Sequence, residues 1–388
     1  MQKLLGVQLK MEEKKMAGYP KKDSKNGTYY FVLEAGKDTS GKRKRVKRSG
    51  FKKINEAKAA MAELMLELKK GNSPIEKEMS VHDYLNFWLD NYAKTNTKPK
   101  TFAEYEKIIK THIQPSLGKI NLYALTSIRV QQYYAEKLEV LSSQSVLHHH
   151  RVLTKALNDA VDWEFLSRNV AKKAKPPKPL KREMKTLCAD QLNILVETAK
   201  EVTPIYFPII YTAGHTGMRK SELMGLSWEN VDLKNSRLYV RQTITEANGK
   251  YFINKRPKNG IARGIKLTVE NTKLLMNLKV QNDELRNALG ETYNPLNLVF
   301  CNSAGNIMAP SEITRALKRA LKVANLPDIR FHDVRHSHAT ILLQAGIHPK
   351  IVSERLGHSK VGITLDLYSH VTATIQDQAV TALNEVLN

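Results

Sequence analysis

The run KKAKPPKPLKREMK (172–185) constrains the fold most. Its prolines lack an N–H and favour extended chain, so neither a helix nor a central strand continues through it. A chain of 388 residues interrupted in this way is expected to close around separate cores on either side. Its lysines stay in solvent. It reads as a hinge between two gripping domains or as a plain exposed tether.

Charge narrows the partners. The chain carries 62 Lys and Arg against 38 Asp and Glu, a net of +24. A protein this basic binds a polyanion. Nucleic acid is preferred over a membrane surface, because no basic amphipathic helix shows a Trp/Phe/Leu face. No run of about 18 apolar residues spans a bilayer. The opening MQKLLGVQLKMEEKKM lacks a signal peptide's apolar stretch and cleavage site. A soluble, intracellular protein is expected. Cys188 and Cys301 have neither zinc spacing nor the number for a disulfide framework, so they read as packing residues in a reducing compartment. Without a GxxxxGK[ST] or GxGxxG loop, neither ATP nor a dinucleotide is implied, and no cofactor is expected.

Three segments follow. Residues 1–70 hold 19 Lys and Arg against 8 Asp and Glu, a net of +11. GTYYFVLEAG (27–36) and KRKRVKRSGF (42–51) read as strands, and NEAKAAMAELMLELKKG as a helix capped by Asn55 and stopped at Gly71. Lys42, Arg43, Lys44, Arg45, Lys47 and Arg48 form either a solvated charged hairpin or a ribbon for a DNA groove. Residues 78–170 read as four helices. The first is capped by serine, with Val81, Tyr84, Leu85, Trp88 and Leu89 on one stripe. His148–His150 are consecutive and diverge around a helix, so they cannot share a metal. They and Arg151 read as an exposed or DNA-facing surface. From 186 on, helices flank SRLYVRQTIT, GKYFINKR and GIARGIKLT, three runs expected to form one antiparallel sheet.

The last segment carries the polar residues. TGMRKSELMGL sets Arg219 at a helix start with Glu222 three positions on. NKRPKNGIARGIKL puts Lys258 at a predicted hairpin tip. FHDVRHSHATILLQAG places His332 and Arg335 on one helical face. LGHSKVGITLDLYSHV projects His358 after a glycine stop, with Tyr368 ten residues later. Singly, each has a plain structural reading: an i, i+3 ion pair, a turn lysine, a packed tyrosine. His332 and His336 have zinc spacing, but Asp333 stands where a zincin has Glu and no third ligand is apparent. As a set they describe phosphoryl transfer. Two arginines hold a phosphodiester, a lysine protonates a leaving alkoxide, histidines move protons, and a tyrosine attacks phosphorus. Such cationic stabilisation needs no divalent metal.

GHTGMRKSELMGLSWENVDL and HDVRHSHAT…LGHS…TLDLYSHV resemble the two motif blocks of the tyrosine recombinases, the lambda-integrase-like site-specific recombinases. The resemblance implies a multidomain, mainly α fold. Residues 1–71 would be a small β-sheet-plus-helix arm-type DNA-binding domain, and 72–175 a helical core-type DNA-binding domain. A mixed α+β catalytic domain would fill 176–388, with the linker at 172–185. It implies Tyr368 as nucleophile, Arg219 and Arg335 as phosphate clamp, Lys258 as general acid, His332 as acid/base or orienting group, and His358 as phosphate donor, with Glu222 fixing Arg219. The implied reaction is cleavage and rejoining of double-stranded DNA through a 3′-phosphotyrosine, integrating or excising a phage or conjugative transposon in a bacterial cytoplasm. The implied assembly is a homo-tetramer on core and arm sites, with an excisionase and a DNA-bending host protein as possible helpers. The amphipathic end, with Ile375, Ala379, Ala382, Leu383, Val386 and Leu387 on one side, reads as a helix packed on its own domain or, as the resemblance implies, donated to a neighbouring protomer. A type IB topoisomerase or a non-catalytic DNA-binding protein would carry parts of the same pattern.

Overall fold

The computed structural model describes residues 19–24, 26–37, 43–69, 79–180, 185–255, 262–358, 360–362, 364–365, 383–384 and 387. The chain divides between Leu180 and Lys181 into two compact units, at the proline-rich run.

The first unit opens with an antiparallel sheet, β1 (Lys21–Lys22), β2 (Tyr29–Lys37) and β3 (Arg43–Phe51), in that order. Phe31 and Leu33, two apart on β2, turn to one face and close a small core with Ala57 and Leu64 of α1 (Ile54–Lys69). Asn55 falls inside the first turn of α1 and does not cap it; Gly71 lies outside the described residues. On β3, Arg45, Lys47 and Arg48 are exposed. Lys47 Nζ lies 4.7 Å from the centre of the Tyr30 ring. Arg43 and Lys44 are on β3, while Lys42 lies outside the described residues.

Four helical segments follow. Ser80 Oγ accepts from Asp83 N–H and starts α2 (Val81–Trp88), which runs through a π-turn (Leu89–Ala93) into Lys94–Asn96. α3 (Pro99–Ile108) passes through a second π-turn (Ile109–Ile113) into Gln114–Leu117. α4 is Ser127–Leu138 and α5 is Ser143–Asp162. Trp88 is fully buried, its Nε1–H donating to Asp159 Oδ2 at 2.7 Å, while Lys155 Nζ donates to Asp159 Oδ1 at 2.7 Å. The histidine triplet departs from expectation, since only His148 is exposed. His149 is 3 % exposed, its Nδ1 2.9 Å from the Tyr133 hydroxyl and its ring stacked 4.7 Å from that of His112. His150 is half-buried, 2.8 Å from the Tyr134 hydroxyl. Position 149 lies on the apolar stripe of α5 with Val146, Leu153 and Ala156. Arg151 is exposed.

The second unit contains α6 (Ala189–Val202), α7 (Phe207–Thr216), α8 (Lys220–Met224), α9 (Val269–Leu289), α10 (Pro310–Val323), α11 (Phe331–Gln344) and α12 (Pro349–Leu356). They share a core that includes Leu195, Ile209, Leu223, Leu275 and Leu317, completed by Leu238 and Ile265 from the sheet. The expected single sheet is two. β4 (Val231–Asp232), β5 (Arg237–Val240) and β8 (Arg263–Lys266) form one, and β6 (Thr243–Ala247) with β7 (Lys250–Asn254) the other. Register shows why. Val240 pairs with Arg263 and Thr243 with Asn254, so two residues separate β5 from β6 in sequence while eight separate β7 from β8. An antiparallel ladder does not continue in register across connections of such unequal length. The turn of the β6–β7 hairpin is Asn248–Gly249, both at positive φ, as a two-residue Asn-Gly loop requires. β7 and β8, which flank the Pro-Lys-Asn-Gly sequence, pair with β6 and β5 and not with each other, and Lys258 itself lies outside the described residues. Among the described residues no helix is long and apolar enough to cross a membrane.

Burial, then the charges of His112 and Lys137, lower the His149 pKa from 6.5 to about 4. A base whose folded pKa lies below its unfolded one stabilises fully above pH 6.5 and loses that contribution as pH falls towards 4, up to ~3 kcal/mol here. Thermal melts of His149→Phe are expected to lose stability less steeply over that interval than the wild type; an identical slope would contradict the burial of a neutral ring. Gly217 caps α7 at φ +64, where a Cβ would collide with the Leu356 side chain and lie 2.7 Å from His338 Cδ2. Gly217→Ala is expected to cost roughly 2–4 kcal/mol in urea unfolding.

Candidate active site

Three chain corners distant in sequence build the site. At the first, Gly217 turns the chain out of α7 and leaves Arg219 at the N-cap of α8. The Arg219 backbone N–H donates to Glu222 Oε2 at 2.9 Å, and its Nη1 donates to Oε1 at 2.8 Å. One carboxylate therefore caps the helix and aims the side chain that precedes it. Glu222 is 1 % exposed. Arg263, opening β8, grips the same group with Nη1–Oε1 at 3.1 Å and Nη2–Oε2 at 2.7 Å. Burial favours the neutral acid, but Arg263 and then Arg219 outweigh it and bring the Glu222 pKa down to about 2.

The second corner is the start of α11. Asp333 accepts from the N–H, Nε and Nη2 of Arg330, at 2.8, 3.0 and 2.7 Å, and so caps the helix beside His332. Among the described residues no three His, Cys, Asp or Glu side chains gather to hold a metal. His332 is exposed, and its ring stands perpendicular to that of His336, 4.7 Å away. The protein against the ring, then His336, Arg335 and Arg219, disfavour its protonated form. Arg335 is 2 % exposed, donating from Nη1 to Gly217 O and from Nη2 to Leu356 O, each at 2.7 Å. Burial and the charge of Arg219 lower its pKa to about 9, which leaves it cationic at neutral pH.

The third corner is the end of α12. Gly357 stops the helix at φ +67, and His358 N–H returns to Ser353 O at 3.0 Å. Arg219 Nη2 donates to Gly357 O at 3.2 Å, so the two arginines occupy consecutive carbonyls, 356 and 357. His358 follows, half-buried, with Nδ1 2.8 Å from Thr364 Oγ1. Burial, then Arg335 and Arg219, lower its pKa to about 3. His338 is a structural member instead. Its Nδ1 meets Gly214 O at 2.8 Å, and Arg355 Nε donates to its Nε2 at 3.3 Å.

Arg219, Glu222, His332, Arg335 and His358 thus come together. Lys258 and Tyr368 lie outside the described residues, and Lys255 is exposed at the end of β7. The residue that sequence reasoning missed is Arg263. Its signal was a cation two positions before Ile265, on the face of β8 that turns to the core. Two guanidinium groups on one carboxylate, with Arg335 held on carbonyls beside them, leave a net charge of +2 in a largely buried cluster. Such an excess is unfavourable unless an anion completes it. A phosphodiester has the charge and geometry to accept from such donors.

Comparison with known proteins agrees. Residues 185–374 match the Phage integrase family, 80–138 the phage integrase N-terminal SAM-like domain, and 19–68 an Arm DNA-binding domain. The chain is 28 % identical to a tyrosine recombinase XerC-like protein of Caldanaerobacter subterraneus subsp. tengcongensis, over 93 % of this chain and 97 % of that one. It is 26 % identical to the ICEBs1 integrase of Bacillus subtilis, over 94 % and 99 %. Among solved structures it resembles the Tn1549 transposon integrase in complex with transposon right end DNA, with a TM-score of 0.66 at 20 % identity, over 80 % of this chain and all of that one. The lambda integrase tetramer bound to a Holliday junction superposes with a TM-score of 0.58 at 19 % identity, over 88 % and 92 %. The chain belongs to the phage integrase family and is a tyrosine-type site-specific recombinase.

Proposed function

We propose that this recombinase cuts and rejoins double-stranded DNA by the following route. The Tyr368 hydroxyl attacks the scissile phosphorus, the bond to the 5′ oxygen breaks, and a 3′-phosphotyrosine forms. Lys258 gives a proton to the departing 5′ oxygen, and neutral His332 takes the tyrosine proton. In the tautomer whose Nδ1 accepts from the Thr364 hydroxyl, His358 presents Nε2–H to a phosphate oxygen. Arg219 and Arg335 stabilise the charge that develops on phosphorus. The phosphotyrosine conserves the energy of the diester, so a 5′ hydroxyl from a second duplex reverses the step without ATP. The observation that carries this reading is the convergence of Arg219 and Arg335 on consecutive carbonyls beside His358.

Residues 1–71 then serve arm sites, 72–175 core sites, and 176–388 the chemistry, with 172–185 as linker. The fold shared with lambda integrase, seen as a tetramer on a Holliday junction, supports a tetramer on paired core sites. Of the C-terminal stripe, Leu383 and Leu387 are described, and both are exposed; a neighbouring protomer is the proposed cover. Integration or excision of a mobile element, in a bacterial cytoplasm, is the proposed setting, with excisionase and host bending protein as further partners.

On a nicked suicide duplex, Tyr368→Phe is expected to abolish the covalent protein–DNA adduct while binding survives; an adduct in that variant would remove Tyr368 as nucleophile. Supercoil relaxation by the wild type with no recombinant product would indicate a topoisomerase. For the arm sheet, Arg43→Ala with Arg45→Ala is expected to weaken arm-site binding about tenfold or more and to flatten its salt dependence, sparing core sites. Equal loss at both sites would remove the two-site assignment.

A further inference from the structure

Glu222 needs one cation to be neutralised, and Arg219 supplies it. Arg263 is a second guanidinium on the same carboxylate, with a side chain 9 % exposed. For stability alone the extra buried cation is a poor solution, because an apolar side chain of similar volume serves as well or better. Its other contacts are informative. Arg263 Nε donates to Arg355 O at 3.0 Å, in the last turn of α12. Its Cδ and Nη1 lie where a Cβ on Gly357 would be, both at 2.9 Å, so the cap from which His358 emerges is fitted against it. It also opens β8, paired with Val240, five positions after Lys258.

We propose that Arg263 is a positioning residue of the strand-transfer reaction. It holds Glu222 in the orientation that aims Arg219, and it fastens both the end of α12 and the start of β8 to that carboxylate. It touches neither the phosphate nor the nucleophile. The inference rests on the recombinase reading and deepens it: a single guanidinium ties the start of β8 and the end of α12 to the phosphate clamp.

The probe is a nicked duplex recovered with the wild-type chain, by selecting covalent adducts from a library with a randomised half-site. Arg263→Met is expected to slow adduct formation 30-fold or more while affinity for the duplex stays within threefold. Arg263→Lys, which keeps the charge and one donor, is expected to recover at least fivefold of that loss. Combined with Glu222→Gln, Arg263→Met should add little further loss, because both act through one carboxylate. Burial would then lift Glu222 in Arg263→Met, so its rate should fall between pH 7 and 5, where the wild type is flat. Thermal melts identify any loss that is simple unfolding, and Arg263→Lys then carries the same comparison. A wild-type rate in Arg263→Met, or losses that multiply with Glu222→Gln, would overturn the proposal. Failure of the wild type to yield any adduct would remove the recombinase reading itself, and this inference with it.

Discussion

The second unit depends on one buried carboxylate. Glu222 caps α8, orients Arg219 and receives Arg263 from the sheet, all through two oxygens. A charge-assisted hydrogen bond is about twice as strong as a neutral one, and a bidentate pair also fixes direction. The helix, the strand and the end of α12 therefore share a reference point. Leu223 and Ile265, buried beside these polar residues, belong to the common core, so the polar centre is built into the packing and not laid over it.

The electrostatics follow from what surrounds that point. Arg335 is held by two carbonyls and not by a carboxylate, so its charge is oriented but left over. His358 stays neutral in the same field, and protonation of His332 is disfavoured there too. The site is thus a fixed arrangement of donors with surplus positive potential. Preorganisation of this kind lowers a phosphoryl-transfer barrier because little rearrangement remains when charge builds on phosphorus.

Much of this was legible in the sequence, for physical reasons. Arg219, Arg335 and His358 stand at helix punctuation, beside Gly217, after the Asp333 cap and after Gly357, where local chemistry dictates direction. Arg263 was not legible, because a charged residue in a short strand reads as surface unless the partner across the fold is known. The hairpin failed differently. GKYFINKR and GIARGIKLT, joined by Pro-Lys-Asn-Gly, read as neighbours in one sheet, whereas β7 pairs with β6 and β8 with β5. Pairing of Val240 with Arg263 decided the matter, and that is a long-range fact. His149 was misread even though its spacing from Val146 and Leu153 placed it inside. The π-turns after Trp88 and Ile108 have no local signal; they keep Ala93 and Ile113 turned inward.

The carbonyls of residues 356 and 357 are hydrogen-bonded by the two arginines, and the chain leaves that point towards Tyr368, eleven residues on. The start of that segment does not run extended: the N–H groups of Thr364 and Leu365 both return to Val361 O, and the Thr364 hydroxyl lies 2.8 Å from His358 Nδ1. Its root is tied to the two arginines and its first turn to His358, so a displacement of Thr364 is passed directly to the imidazole.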